Sequence, residues 1–215
     1  MAHNLVIFGP PGAGKGTQSA AIKDKLGVFH LSTGDMLREA IKNETETGKL
    51  AKQYTEAGKL VPDDVVIKIV EEAVAPLPAD KGVLFDGFPR TLDQAKALDA
   101  MMDKLGRGIN GCISIAVPDD TIVTRLTGRR MCPACNEIFH ITGKPPKVEG
   151  KCDACGGDLI IRKDDNEEVI RQRLESYHSQ TAPCIGYYKE KGLLKEVDGT
   201  KPPAEVSTEI TGMFS

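Results

Sequence analysis

The apolar run Leu5-Val6-Ile7-Phe8 ends in Gly9-Pro10-Pro11-Gly12-Ala13-Gly14-Lys15-Gly16-Thr17, and from Lys15 onward Ala20, Ala21, Ile22 and Leu26 recur at helical spacing. A strand that breaks at a glycine-rich turn and continues as a helix leaves few folds open. The following strand must come back over the helix as a right-handed crossover into a parallel sheet. The turn also has its own chemistry. Its glycines let the backbone wrap around phosphate oxygens with N–H groups pointing inward, the helix N-terminus adds partial positive charge, and Lys15 supplies a mobile cation. Gly16 stands directly after the lysine, where the common pattern carries Ser or Thr, and Thr17 follows. The loop therefore departs from the arrangement that places a hydroxyl directly on Mg²⁺.

Strand-then-helix units recur. Residues 83–85 precede a helical pattern over 92–105, and residues 112–117 precede one over 119–126, with Pro118 and Asp119 as its start signal. This alternation predicts an α/β fold, a P-loop core built on a three-layer, mainly parallel sheet. Residues 166–190 read as a long helix that opens on Glu167 and Glu168 and is bent or interrupted by Pro183. A last strand over 193–197 and a closing helix over 204–213 complete the pattern. Two stretches break it. Residues 32–61 are polar and helical with no strand between the pieces, and residues 128–165 are rich in Gly, Pro, Cys and charge, with β-like pieces at 138–141 and 159–161. At 215 residues the chain suits one domain carrying two inserted lobes.

Four of the six cysteines form two C-x-x-C pairs, Cys132/Cys135 and Cys152/Cys155. The spacing suits a closed tetrahedral four-sulfur site that pins a lobe with little apolar material of its own, with Zn²⁺ the expected ion and Fe²⁺ or Co²⁺ the alternatives. His140 is close enough in sequence to compete as a ligand, and disulfides or free thiols are the other reading of the pairs. Cys112 and Cys184 read as ordinary buried thiols.

The formal net charge of −3 argues against general nucleic-acid binding or an anionic membrane surface. The N-terminal residues Ala2, His3 and Asn4 carry no basic region, and the first apolar run is too short to span a bilayer, so the expectation is a cytosolic protein with no membrane partner. A monomer is expected.

Phe85-Asp86-Gly87-Phe88-Pro89-Arg90 follows a buried strand, where ligand crevices of open α/β sheets form. Asp86 there is either a turn aspartate or the group that orients the waters of a bound Mg²⁺, and the planar fork of Arg90 suits phosphate oxygens. Taken with the 9–17 loop, Ser32-Thr33-Gly34-Asp35-Met36-Leu37-Arg38, Gly128-Arg129-Arg130 and Arg162-Lys163-Asp164-Asp165, these residues closely resemble the adenylate kinase family in its long-lid form. The resemblance runs in order over nearly the whole chain. It implies a core of residues 1–31, 62–127 and 166–215, an AMP-binding lobe at 32–61 and a zinc-type lid at 128–165. It further implies reversible, Mg²⁺-dependent transfer of the terminal phosphoryl group of ATP to AMP, giving two ADP. By motif match, Gly12, Ala13, Gly14, Lys15, Gly16 and Thr17 would hold ATP phosphates. Arg129, Ile138 and Phe139 would meet ATP from the lid, and Lys201 would lie beside the adenine by its backbone. Thr33, Arg38, Lys59, Leu60, Val61, Gly87, Phe88, Pro89, Arg90, Gln94, Arg162 and Arg173 match the AMP positions. Gln94 has a readable reason, because a carboxamide both donates to and accepts from the Watson–Crick edge of adenine. Lys15, Arg90, Arg125, Arg129, Arg162 and Arg173 would surround the transferring group, where negative charge spreads in the transition state and no protein nucleophile is needed. Asp164 and Asp165, at the lid hinge, are read as clamps for an arginine or for the lid itself, or as plain helix-start acids.

The alternatives are a kinase for another monophosphate or with GTP as donor, and a nucleotide-switch or zinc-ribbon nucleic-acid-binding protein. Against the latter, the cysteine lobe has few aromatics and many acids, and the arginines are dispersed among the motifs instead of forming a stripe.

Overall fold

A computed structural model describes residues 2–214. Five parallel strands, β1 (Asn4–Phe8), β2 (Phe29–Ser32), β3 (Val83–Asp86), β4 (Gly111–Ala116) and β7 (Leu194–Asp198), form one sheet in the order β2-β3-β1-β4-β7. The central strands β1, β3 and β4 are buried on both faces, so they read as near-continuous apolar runs, whereas the edge strands β2 and β7 are only partly buried. In β1, Val6 and Phe8 join a core built with helices α4 (Asp63–Val74), α5 (Leu92–Lys104) and α8 (Ala182–Glu190). Leu5 and Ile7 face the other layer, which contains α1 (Lys15–Leu26), α6 (Asp119–Thr127), α7 (Glu167–Ser176) and α9 (Pro203–Gly212). This is the three-layer arrangement expected from the alternation of strands and helices.

The edge strand β2 is absent from the pattern read in the sequence. Its four residues, Phe29-His30-Leu31-Ser32, bury only Leu31 fully, so no apolar run marks it. The long helix over 166–190 is continuous but irregular. Between α7 and α8 the turn widens to a π-helix over Tyr177–Thr181, with Ala182 N–H bonding to Tyr177 O. Pro183 sits in the first turn of α8, so the interruption lies just before the proline, where its missing N–H leaves the regular ladder incomplete.

Both inserted stretches have the expected character. The first holds α2 (Thr33–Lys42) and α3 (Glu46–Thr55), capped by the Ser32 and Thr45 hydroxyls, which accept from the N–H of Asp35 and Gly48. The second holds the antiparallel pair β5 (Arg129–Met131) and β6 (Ile138–His140), extended by a bridge from Met131 to Ile160. Among the described residues no helix is long and apolar enough to cross a membrane.

Candidate active site

The glycine loop follows β1 and delivers Lys15 at the first position of α1. Gly12 and Gly14 take left-handed backbone angles (φ 83° and 96°), and a Cβ at Gly12 would lie 2.8 Å from Leu126 Cγ, so the turn depends on glycine there. The Lys15 ammonium folds over its own loop and donates to Gly9 O (2.7 Å) and Pro10 O (2.9 Å). Gly16 and Thr17 are exposed at the helix start.

Arginines from three other segments converge on this lysine. Burial, with Asp86 opposing it and Arg90, Arg173 and Arg129 adding to it, pulls the Lys15 ammonium down to about 8. Burial and then Arg173 bring Arg90 down to about 10. Burial, followed by Arg129 and Arg38, does the same to Arg162, also about 10. Cations held this close, with their fields lowering one another, make a site of strong positive potential.

Acids space the arginines. Arg129 forms a fork on Asp165, with Nε 2.8 Å from Oδ2, and the Asp165 side chain is fully buried. Arg173 pairs with Asp164 at 2.9 Å and also donates to the Asp164 carbonyl. Asp164 and Asp165 are thus arginine clamps, the first of the two readings given above. Asp86, at the end of β3, accepts from Ser19 Oγ and lies 3.1 Å from His30 Nε2. Burial pushes its carboxyl up, but the His30 hydrogen bond and the Lys15 charge outweigh this and hold it below the usual carboxylate range. His30 and Ser19 were not legible as site residues, because neither lies in a motif.

A cleft of about 1250 Å³ opens between the helical pair, the cysteine insertion and the core. Its walls include Thr33, Arg38, Lys59, Leu60, Val61, Gly87, Arg90, Gln94, Arg162 and Arg173, so most of the expected acceptor residues share one space. Gly87 makes the sharp turn after β3 (φ 77°), and its carbonyl accepts from Thr33 Oγ1 at 2.8 Å and Arg90 Nε at 2.7 Å. Pro89 lines the adjoining space next to Lys15. Phe88 is the exception among these positions, since its ring is buried in the core. Arg38 pairs with Asp35 on its own helix. Glu56 and Lys163 form an ion pair at 3.2 Å between the helical stretch 32–61 and the C-terminal end of the cysteine insertion.

On the opposite side, Arg125 donates to Gly199 O at 2.9 Å, beside the loop that carries Lys201, and it is not among the charges that bear on Lys15. Lys201 Nζ pairs with Glu209. In the insertion Ile138 is exposed, whereas the Phe139 ring is buried against Cys132 and Cys152.

The four cysteine sulfurs lie within 4.8 Å of one another. Neighbouring pairs are 3.4 to 3.5 Å apart, near the roughly 3.8 Å that a tetrahedron with metal–sulfur bonds of about 2.3 Å requires. None of the four is in a disulfide. Each C-x-x-C pair makes the same turn, with Asn136 N–H on Cys132 O and Gly156 N–H on Cys152 O, both residues at positive φ. The donor set is that of a closed structural site. His140 is not part of it. Its Nδ1 accepts from Thr142 N–H and Gly143 N–H, and Nε2 faces Thr124 O.

A glycine loop between strand and helix, a buried lysine ringed by arginines, and a cleft closed by two insertions define a P-loop enzyme that moves phosphoryl groups between nucleotides. The sequence model of the adenylate kinase family matches residues 7–193. The chain is 51% identical over 206 residues to an adenylate kinase of Carboxydothermus hydrogenoformans, covering 96% of each chain. It is 50% identical over 211 residues to one from Archaeoglobus fulgidus, covering 98% of this chain and 97% of that one. To an adenylate kinase of Staphylococcus aureus it is 48% identical over 207 residues, 96% of each. The chain belongs to the adenylate kinase family, nucleoside monophosphate kinases that use Mg²⁺ with ATP and transfer its terminal phosphoryl group to AMP.

The depressed Lys15 sets a pH dependence. A phosphate group drawn onto Lys15 would favour its charged form, which is already present below about pH 8 but must take up a proton above it, so the affinity for such an anion is expected to fall as pH rises through about 8. Calorimetry with a non-hydrolysable ATP analogue at about pH 8.5, in two buffers of different ionisation enthalpy, is expected to show net proton uptake that a Lys15→Met variant lacks. The Lys15-dependent part of the uptake, read as the difference from the Lys15→Met variant, should shrink to near zero well below pH 8; no such difference at the higher pH would refute the assignment.

Proposed function

We propose that ATP and AMP occupy the two ends of this site, with ADP as the product at both. The carrying observation is the convergence of Lys15, Arg90, Arg162 and Arg173, each held below its usual range by burial and neighbouring cations, with Arg129 among those neighbours and with acids enough to space them but not to neutralise them. Such an array has its charge balanced by phosphate oxygens and gains most when that charge is largest and most dispersed, in the transition state. Gly12, Ala13, Gly14, Lys15, Gly16 and Thr17 hold the donor phosphates through backbone N–H groups and the lysine. Arg129 reaches the donor from the insertion. Arg38, Arg90, Arg162 and Arg173 hold the acceptor phosphate and the transferring group. The base of AMP lies against Thr33, Val61 and Gln94.

Three placements are sharpened by geometry. Arg125 works from the adenine end, because its guanidinium is drawn to the 199–201 loop. Phe139 contributes by its backbone and Ile138 by its side chain. Phe88 supports the acceptor loop from within the core.

The Asp86 carboxylate is suited to hold the water shell of a divalent cation, and Mg²⁺ when bound supplies charge neutralisation between the donor phosphates. Residues 32–61 form the AMP lobe and 128–165 the lid, on a core of 1–31, 62–127 and 166–215. Closing the two lobes over the cleft excludes water, so that AMP and not water receives the phosphoryl group. Zinc fills the four-cysteine site, and the protein works as a cytosolic monomer.

A panel of AMP, CMP, UMP and GMP against ATP and GTP, with metal analysis of the same sample, tests this reading. AMP with ATP is expected to lead each other acceptor by about 100-fold or more in kcat/KM. A preference for another monophosphate, or nucleic-acid binding without phosphotransfer, would overturn it.

A further inference from the structure

Gln94 is buried at the acceptor cleft and held in a closed ring of hydrogen bonds. Its Oε1 accepts from the backbone N–H of Arg90 at 2.7 Å, and its Nε2 donates to Asp63 Oδ1 at 2.7 Å. The other carboxylate oxygen, Asp63 Oδ2, accepts from the Thr91 hydroxyl at 2.6 Å. That hydroxyl caps α5 and accepts in turn from the Gln94 backbone N–H at 3.2 Å.

The ring determines which way the amide faces. A carboxylate only accepts and a backbone N–H only donates, so turning the amide over would set oxygen against oxygen and N–H against N–H. One proton on Nε2 and one lone pair on Oε1 remain for the cleft, in a fixed order. A 6-aminopurine presents an acceptor at N1 and a donor at N6, which that order satisfies. A 6-oxopurine presents a donor at N1 and an acceptor at O6, which it opposes. Leu37, Val61 and Val66 line the same cleft with apolar side chains.

We infer that Asp63 is a specificity-determining positioning residue, which by locking the Gln94 amide admits 6-aminopurine monophosphates and rejects 6-oxopurine ones. The inference rests on the placement of the acceptor base against Gln94 proposed above. Asp63 reaches the base only through Gln94. It sits at the start of α4, 31 residues before Gln94 in the chain.

The test compares kcat/KM for adenosine and inosine monophosphates, which differ only at C6 and N1, in the parent and in Asp63→Ala, Asp63→Asn and Gln94→Ala. Asp63→Ala is expected to lower the adenosine-to-inosine ratio by about tenfold or more, the effect of one hydrogen bond to a charged group, mainly through KM for the acceptor. Asp63→Asn keeps an acceptor oxygen for Nε2 while its own amide donates to Thr91, so it should hold the ratio within about threefold. A purely structural role would lower both acceptors in proportion and leave the ratio unchanged. Should Asp63→Ala not fold, Asp63→Ser carries the same expectation. An unchanged ratio in the Ala or Ser variant, beside a collapsed ratio in Gln94→Ala, overturns the role of Asp63 alone. An unchanged ratio in Gln94→Ala as well overturns the placement of the base with it.

Discussion

Replacing Lys15 with Met is expected to lower turnover by about two to three orders of magnitude, the loss that follows when one preorganised donor to a charged transition state is removed. Lys15 belongs to the loop itself, and its bonds are to the loop carbonyls of Gly9 and Pro10. The methionine keeps most of the side-chain volume and removes a charge that burial and three arginines already disfavour. The melting temperature should therefore stay within a few degrees of the parent or rise slightly. Steady-state kinetics and thermal melts on one preparation decide the matter. Near-normal turnover would exclude Lys15 from the chemistry, and a collapse of stability with turnover would make its role structural.

Stripping the metal proposed for the four-cysteine site is expected to unfold the insertion while leaving the sheet intact. The buried apolar material there is Phe139 with the cysteines Cys132 and Cys152, joined by half-buried Leu159, far too little to order a segment of this length. Zinc sites of this ligand set contribute on the order of 10 kcal/mol or more of folding free energy, so the loss should be close to all-or-none within the lobe. After exhaustive chelation, or in Cys132→Ser, hydrogen exchange should lose protection at the amides of Asn136, Cys152 and Gly156, which bond within the two cysteine turns. Amides of β1 and β3 should keep theirs. Activity should fall as well, because Arg129 is carried on β5 and Ile138 on β6. A metal-free protein with the insertion still protected would show that the cysteines are not what holds it.

Much of the fold could be read from the chain because the signals are local. The glycine loop, the apolar strands 5–8 and 83–85 and the helical patterns after them each occupy a few consecutive residues whose burial on both faces leaves a visible run. Where the signal was weak the reading stopped. Strand β2 buries one residue fully in four, and the π-helical turn displaced the expected break from Pro183 to the residues before it. The cysteine pairs were legible because metal geometry imposes their spacing, and the exclusion of His140 follows from its bonds to the neighbouring turn.

What the sequence determined alone is the chemistry available: a phosphate loop, a set of arginines, an amide, four thiols and the order of strands and helices that carries them. Only the tertiary structure decided how these groups meet. His30 reaches Asp86 across 56 residues of chain, Arg129 is clamped by Asp165 across 36, and Asp63 turns the Gln94 amide across 31. No local spacing encodes such pairs. They exist because parallel crossovers return distant segments to the same ends of neighbouring strands, and because buried charges and amides must find partners wherever the chain has brought them.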